Sequence, residues 1–208
     1  MNIAVLADIH GNYDALLAVM ADMAECSVDG VIVLGDILFP GDQPQGCFDA
    51  LKKLDPLAWV RGNTDNWLNE INERFVPANE VEQRVLADFR RVRPLISDEA
   101  ADTVAVLPEK QSLEICGRKL LCVHGSDRRI NEPIGIMTTR DEVQEITERI
   151  DADILLCAHT HKPYIAALNG KLIINGGSVG KPADSPGPCY CLLHFGDVFE
   201  YGFRKLSD

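Results

Sequence analysis

Basic residues are in short supply. Twenty Lys and Arg face 32 Asp and Glu, a formal net charge of −12 over 208 residues. Neutralising a phosphate backbone needs a basic surface, so general nucleic-acid binding is not expected. Long apolar runs are lacking too. No uninterrupted stretch approaches the ~18 residues of a membrane-spanning helix, so no membrane association is expected. The first apolar run, Ile3-Ala4-Val5-Leu6-Ala7, follows no charged leader and is ended by Asp8. It reads as a first strand and not as a secretory signal. Seven cysteines include no CxxC pair, which leaves a zinc ribbon unsupported. Their odd number and scattered spacing suit buried small apolar side chains in a reducing compartment, which points to the cytoplasm. No internal repeat, low-complexity segment or long linker divides the chain. Residues 1–208 are read as one domain, and a hydrophobic content of 46% is ample for its core.

What is present is an alternation of strands and helices. Strand 2–7 leads to a helix over 12–25, with Asn12 as its cap and Leu16, Val19, Met20 and Met23 on its apolar face. Strand 30–34 leads through Gly35-Asp36 and a Gly/Pro-rich loop to a helix near 46–54, then to a short strand at 57–60. This order argues for adjacent parallel strands. Residues 66–107 read as mostly helical, with Val81, Val85, Leu86 and Phe89 at helical spacing and breaks at Pro94 and Pro108. This stretch is expected to form a cap or a side layer. A hairpin over 111–116 and 119–123 turns at Gly117-Arg118. A helix at 139–150 precedes strand 153–158, and strands 171–175, 189–195 and 198–204 follow, the last pair joined at Gly196-Asp197. A chain that begins as βαβ and ends as a β meander predicts two sheets packed face to face with helices outside.

The apolar strands end in chemistry. Asp8 and His10 follow the first strand, and residues i and i+2 of a strand point to one side. Gly35-Asp36 follows the second strand and Gly62-Asn63-Thr64-Asp65 the third. His124-Gly125 ends the hairpin, and Ala158-His159-Thr160-His161 ends strand 153–158. Only five histidines exist, and four of them sit in these motifs. The fifth, His194, lies inside a strand and reads as structural. Asp8, His10, Asp36, Asn63, His124, His159 and His161 together offer oxygen and nitrogen donors without thiolate. Seven donors are too many for one tetrahedral ion. They suit two divalent ions sharing a carboxylate, and Asp36, in the middle of the order, is the candidate bridge.

This set resembles the calcineurin-like metallophosphoesterase superfamily, whose pattern runs DxH, GD, GNHD, a later H and GHxH. The match extends from residue 8 to residue 161 in the family's order. The run Asn175-Gly176-Gly177-Ser178-Val179-Gly180 also looks like the glycine-rich turn of its compact bacterial and archaeal members. The resemblance implies an α/β fold, a four-layer αββα sandwich of two mixed sheets. It implies one ion held by Asp8, His10, Asp36 and His161, and a second by Asp36, Asn63, His124 and His159. The ions could be manganese, iron, zinc, nickel or cobalt. It also implies hydrolysis by metal-bound hydroxide, with Asp36, Asn63 and His124 as candidate catalytic residues.

Two positions depart from the pattern. Thr64 stands where the family has a histidine proposed as general acid; its hydroxyl can donate to a phosphate oxygen but does not titrate near neutral pH. Ala158 stands where glycine is usual. Beyond the motifs, Asn63, Thr64, Arg128 and Arg129 are candidate substrate contacts, since guanidinium groups suit phosphate. Arg90, Arg91 and Arg93 suit a helix C-terminus; Lys162 and Lys181 lie beside motifs and are further candidate substrate contacts, and Trp67 could stack on an aromatic group. The expected activity is hydrolysis of small phosphodiesters, nucleotides or activated phosphomonoesters, with a small phosphorylated compound as partner. Rival readings are a phosphoprotein phosphatase, a nuclease, or a non-catalytic scaffold such as the retromer subunit of this fold.

Overall fold

In the computed structural model, which describes residues 1–207, the strands form two mixed five-stranded sheets. The first half of the chain lays down β1 (Asn2–Leu6), α1 (Tyr13–Glu25), β2 (Gly30–Val33), α2 (Pro44–Leu54) and β3 (Ala58–Trp59). A helical stretch follows, with α3 (Trp67–Glu70), α4 (Glu80–Val92), a 3-10 turn at Arg93–Leu95 and α5 (Asp98–Ala105). The rest is β4 (Lys110–Ile115), β5 (Arg118–Val123), α6 (Arg140–Arg149), β6 (Ile154–Cys157), β7 (Tyr164–Leu168), β8 (Lys171–Asn175), β9 (Cys189–Phe195) and β10 (Phe199–Lys205).

One sheet runs β10-β9-β1-β2-β3, the other β4-β5-β6-β8-β7. The pairs β1–β2, β2–β3, β5–β6 and β6–β8 are parallel, and β1–β9, β9–β10, β4–β5 and β7–β8 are antiparallel. The alternation of each central strand assigns its two faces. Ile3, Val5, Ile32 and Leu34 meet Leu120, Cys122, Ile154, Leu156 and Ile174 in the cluster between the sheets. Ala4, Leu6, Val31 and Val33 face the other way, onto Leu16, Val19, Phe48 and Leu51 of α1 and α2. On the far side, Leu155, Cys157 and Ile173 pack on Val143 and Ile146 of α6. Strands covered on both faces read as continuous apolar runs, which is why β1, β2 and β6 were conspicuous in the sequence. The four-layer sandwich is thus the observed fold.

The helix signals are met by specific bonds. Asn12 Oδ1 accepts from the Ala15 N–H at 3.1 Å, and Thr139 with Glu142 forms a capping box ahead of α6. The β4–β5 turn falls at Cys116-Gly117, both with positive φ (48° and 76°), one residue earlier than expected. Three further details differ from the sequence reading. β7 was not anticipated: it follows Pro163, lies at a sheet edge and is half-exposed along most of its length, so it lacks an apolar alternation. Helix α2 starts at Pro44, a residue well suited to a first helical turn. Val81 is 69% exposed, because α4 buries the face carrying Leu86 and Val92 instead. Val92, Ile96, Ala100, Ala101 and Val104 join the cluster under α1 and α2, which places this helical stretch beside those helices.

All seven cysteines are free thiols, five of them buried. Among the described residues, no helix is long and apolar enough to cross a membrane.

Leu156 is fully buried between the sheets. Leu156→Ala should lower unfolding free energy in urea by about 2–5 kcal/mol, the usual cost of such a cavity. Val81→Ala should change it by less than about 0.5 kcal/mol.

Candidate metal centre

Parallel pairing sets the site. β1, β2, β3, β5 and β6 all end at one margin of the sandwich, and the five motifs follow those ends. Backbone bonds tie the motifs together: the Asp8 N–H donates to Gly35 O, the His10 N–H to Asp36 O and the Ala158 N–H to His124 O, at 2.8–3.0 Å. Asp8, His10, Asp36, His159 and His161 all adopt positive φ, between 50° and 69°. Side chains other than glycine's reach that region at a cost, and such residues gather where packing over-determines the backbone. Gly62 shows the tightness: a Cβ there would sit 2.1 Å from Asp36 Oδ1.

Three histidines have their tautomers dictated by carbonyl groups. His124 Nδ1 donates to Leu34 O at 2.7 Å and His161 Nδ1 to Lys181 O at 2.8 Å, while His10 Nδ1 donates to Phe39 O. A carbonyl oxygen only accepts, so each Nδ1 carries the hydrogen and each neutral ring turns a lone pair outward from Nε2. Those lone pairs converge. His10 Nε2 lies 3.0 Å from His161 Nε2, and His124 Nε2 lies 3.1 Å from Asn63 Oδ1. Asp8 Oδ1 stands 3.5–3.9 Å from the Nε2 atoms of His161, His10 and His124. It is fully buried and has no hydrogen-bond partner. Asp36 turns Oδ2 toward His10 at 3.8 Å and Oδ1 toward His124 at 3.6 Å. His159 sets its ring edge-on to that of His124, with centroids 5.3 Å apart. The structure therefore brings all seven sequence-nominated donors to one place.

Acceptor facing acceptor in a buried site is unfavourable unless a cation lies between them. The donor set fits divalent ions: carboxylate oxygen, imidazole nitrogen and an amide oxygen, without thiolate. Two groups have donor atoms within 4.8 Å of one another, Asp8-His10-His161 and Asp8-Asp36-His124. Asp8 belongs to both groups, while Asp36 offers one oxygen to each side.

The electrostatics agree with a site that lacks positive charge of its own. Burial, and then the adjacent Asp36, push Asp8 well above the usual carboxylate range. Burial also opposes ionisation of Asp36; positive charge on His124 and His10, with the Thr64 N–H (2.8 Å), lowers it below that range, so with neutral imidazoles its ionisation leans on a cation from outside the chain. Burial lowers His10 and His159, and burial with His10 lowers His161 to about 4. Two neighbouring carboxylates do not ionise together without a counter-charge.

Residues 1–197 match the model of the calcineurin-like phosphoesterase superfamily domain. The chain belongs to this superfamily. It is 26% identical to a probable metallophosphoesterase of Bacillus subtilis, YsnB, over 93% of this chain and 83% of that one. The crystal structure of a hypothetical protein from Pyrococcus horikoshii shares the fold at a TM-score of 0.85, with 19% identity over 99% of this chain and 87% of that one. A metallophosphoesterase from Sphaerobacter thermophilus does so at 0.71, with 24% identity over 92% and 82%. Metal-dependent phosphoester hydrolysis is the chemistry this superfamily carries.

Within a calcineurin-like phosphoesterase fold, the remaining candidates separate. The Thr64 hydroxyl donates to Phe39 O at 3.4 Å, the same carbonyl that orients His10. Arg128 pairs with Glu132, its Nε 3.0 Å from Oε2, and Arg129 is exposed. Neither lines the cleft of about 490 Å³ beside His10. Arg91 binds Asp42 and Pro40 O, and Arg93 binds Ile96 O and Asp98. Trp67 packs against Phe39, with centroids 5.5 Å apart. His194 bonds Asn2 Oδ1 at 2.6 Å, outside the centre.

Three supporting residues escaped the sequence reading as functional parts. Asp65 is fully buried and accepts from the N–H groups of Ile37, Leu38 and Gly62, fixing the turn that carries Asp36. Burial and the Asp36 charge push it up to about 7. Asn175 Nδ2 donates to Ala158 O, Ile134 O and Thr160 Oγ1, and Ser178 Oγ donates to Asp8 O. Asp65 sat in a recognised motif and the other two in the glycine-rich run. Nothing in their spacing says which carbonyls they serve.

These shifts fix the pH response of metal uptake. Ligation needs neutral imidazoles and ionised carboxylates. His161 stays neutral until the pH falls toward about 4, and burial lowers His10 and His159 as well. Asp8, raised by burial and by Asp36, takes up its proton at higher pH than an ordinary carboxylate. Manganese or zinc affinity at equilibrium should therefore weaken on acidification, with protonation of Asp8 contributing above the usual carboxylate range. Asp8→Asn should remove that contribution as well as weakening binding.

Proposed function

We propose that this protein is a phosphoesterase with a dinuclear centre, acting on small phosphodiesters, nucleotides or activated phosphomonoesters in the cytoplasm. The observation that carries the reading is the convergence of His10, Asp36, His124 and His161 around an unpartnered, buried Asp8 oxygen. Asp8, His10, Asp36 and His161 would hold one ion, and Asp36, Asn63, His124 and His159 the other. When bound, divalent ions supply positive charge for phosphoryl oxygens and acidify water at neutral pH. The chain's own residues supply geometry. Carbonyls of Leu34, Phe39 and Lys181 lock three imidazoles, and Asp65 holds the Asp36 turn. A net charge of −12 favours small substrates over nucleic acid.

Thr64 limits the chemistry. Its hydroxyl is turned to Phe39 O and does not titrate near neutral pH, so this position delivers no proton to a departing oxygen. General acid catalysis contributes roughly 10²–10⁴-fold where it operates. Values of kcat/KM over a series of aryl and alkyl phosphates should therefore drop steeply as the leaving group becomes more basic. A shallow series would place a proton donor elsewhere in the site.

The central test uses manganese-reconstituted protein and a generic aryl phosphodiester. Asp36→Ala should lose metal and hydrolysis together, and His194→Ala should keep both. Wild-type protein that binds no metal, or binds it without hydrolysing any phosphoester, would sink the proposal.

A further inference from the structure

The cleft beside His10 is lined by Asp14, Asp42, Gln43 and Lys181 among others, and Lys181 is its one Lys or Arg. The carboxylates already have partners: Asp42 is bound by Arg91, and Asp14 accepts from Gln43 Nε2 at 3.4 Å. The Lys181 ammonium makes no hydrogen bond or ion pair with any described residue.

Its backbone, in contrast, is held on both sides. The Lys181 N–H donates to Ser178 Oγ at 2.8 Å, and the Lys181 carbonyl accepts from His161 Nδ1 at 2.8 Å. The same Ser178 hydroxyl donates to Asp8 O. A flexible four-carbon stem thus starts from a point fixed to two of the nominated ligands, Asp8 and His161, and shares a cleft with a third, His10. Both His10 and His161 feel its charge, as a smaller contribution behind burial. In a chain with 32 acidic and 20 basic residues, an unpaired cation lining the cleft beside His10 is an anion contact awaiting its anion.

We propose that Lys181 is a substrate-positioning residue that binds an anionic phosphoryl oxygen and biases the centre toward phosphomonoester dianions over diester monoanions. The substrate part of this rests on the phosphoesterase reading; the anion contact does not. An ammonium gains more from a phosphoryl group with two negative charges than from one with a single charge. Arg128 and Arg129, nominated from sequence, do not line this cleft, whereas Lys181, nominated beside them and directly after the glycine-rich run, does.

The test uses intact manganese-loaded protein and two readouts. Calorimetry gives the affinity for inorganic phosphate, and kinetics give kcat/KM for an aryl phosphomonoester and the matching bis-aryl diester. Lys181→Gln should weaken phosphate binding about tenfold, the low end for a hydrogen bond to a charged group. It should lower the monoester-to-diester ratio by a similar factor, with metal content unchanged, and Lys181→Arg should recover most of both. The proposal is overturned if phosphate affinity and the ratio stay as in wild type, if both esters fall equally with loss of metal, or if wild-type protein binds no phosphate. Lysine-dependent phosphate binding without hydrolysis of either ester would sustain Lys181 and defeat the phosphoesterase reading instead.

Discussion

Lone pairs held against lone pairs are the constraint on which this structure turns. His10, His161, His124, Asn63 and Asp8 point acceptor atoms at one another across 3.0–3.9 Å in a buried site. Such an arrangement does not assemble itself. It is imposed by groups one step out: three carbonyls that fix the imidazoles, and Asp65, Ser178 and Asn175, which hold the turns. The positive φ angles of five donors belong to the same imposition, because the motifs are the sharp ends of fully packed strands. The apolar core is what makes the polar site possible; β1 and β2 are buried on both faces, so their ends have little freedom to relax.

The two sheets share the work unequally. Asp8, His10, Asp36 and Asn63 follow strands of the first, and His124, His159 and His161 follow strands of the second. Bonds cross between them at the site itself: His124 reaches Leu34 O, and the His159 N–H reaches Asp8 Oδ2 at 3.1 Å. The centre is therefore a joint between sheets as well as a place for chemistry.

Much of this was written in the sequence, for a physical reason. A parallel strand buried on both faces must be apolar throughout, and the carboxylate or imidazole that ends it stands out sharply, as at Asp8, Asp36 and His159. The scarcity of histidine made the clustering of four of them informative. Legibility failed where a residue acts through tertiary contacts. Arg128 follows His124 in the chain, yet its guanidinium goes to Glu132. Lys181 shares the cleft with His10 although 171 positions separate them (181 − 10). Edge strand β7 has no buried face to write a pattern, and the exposure of Val81 follows from which side of α4 meets its neighbours. The protonation states were also hidden, since burial of His161 arises only once distant segments meet.

The strand order has a consequence for how the chain is made. β9 lies between β1 and β10, and pairs with β1 through Asn2↔His194 and Val5↔Cys191. During synthesis, β1 is made well before residues 189–195 and waits for them before its second edge is covered. The waiting edge belongs to an apolar strand, the kind that recruits stray partners. The donors arrive in two instalments over the same interval: four by residue 63, and the last three between residues 124 and 161. A nascent chain thus carries an open edge and half a chelate together while the stretch from residue 63 to residue 161 is made, and the chelate is completed before the edge.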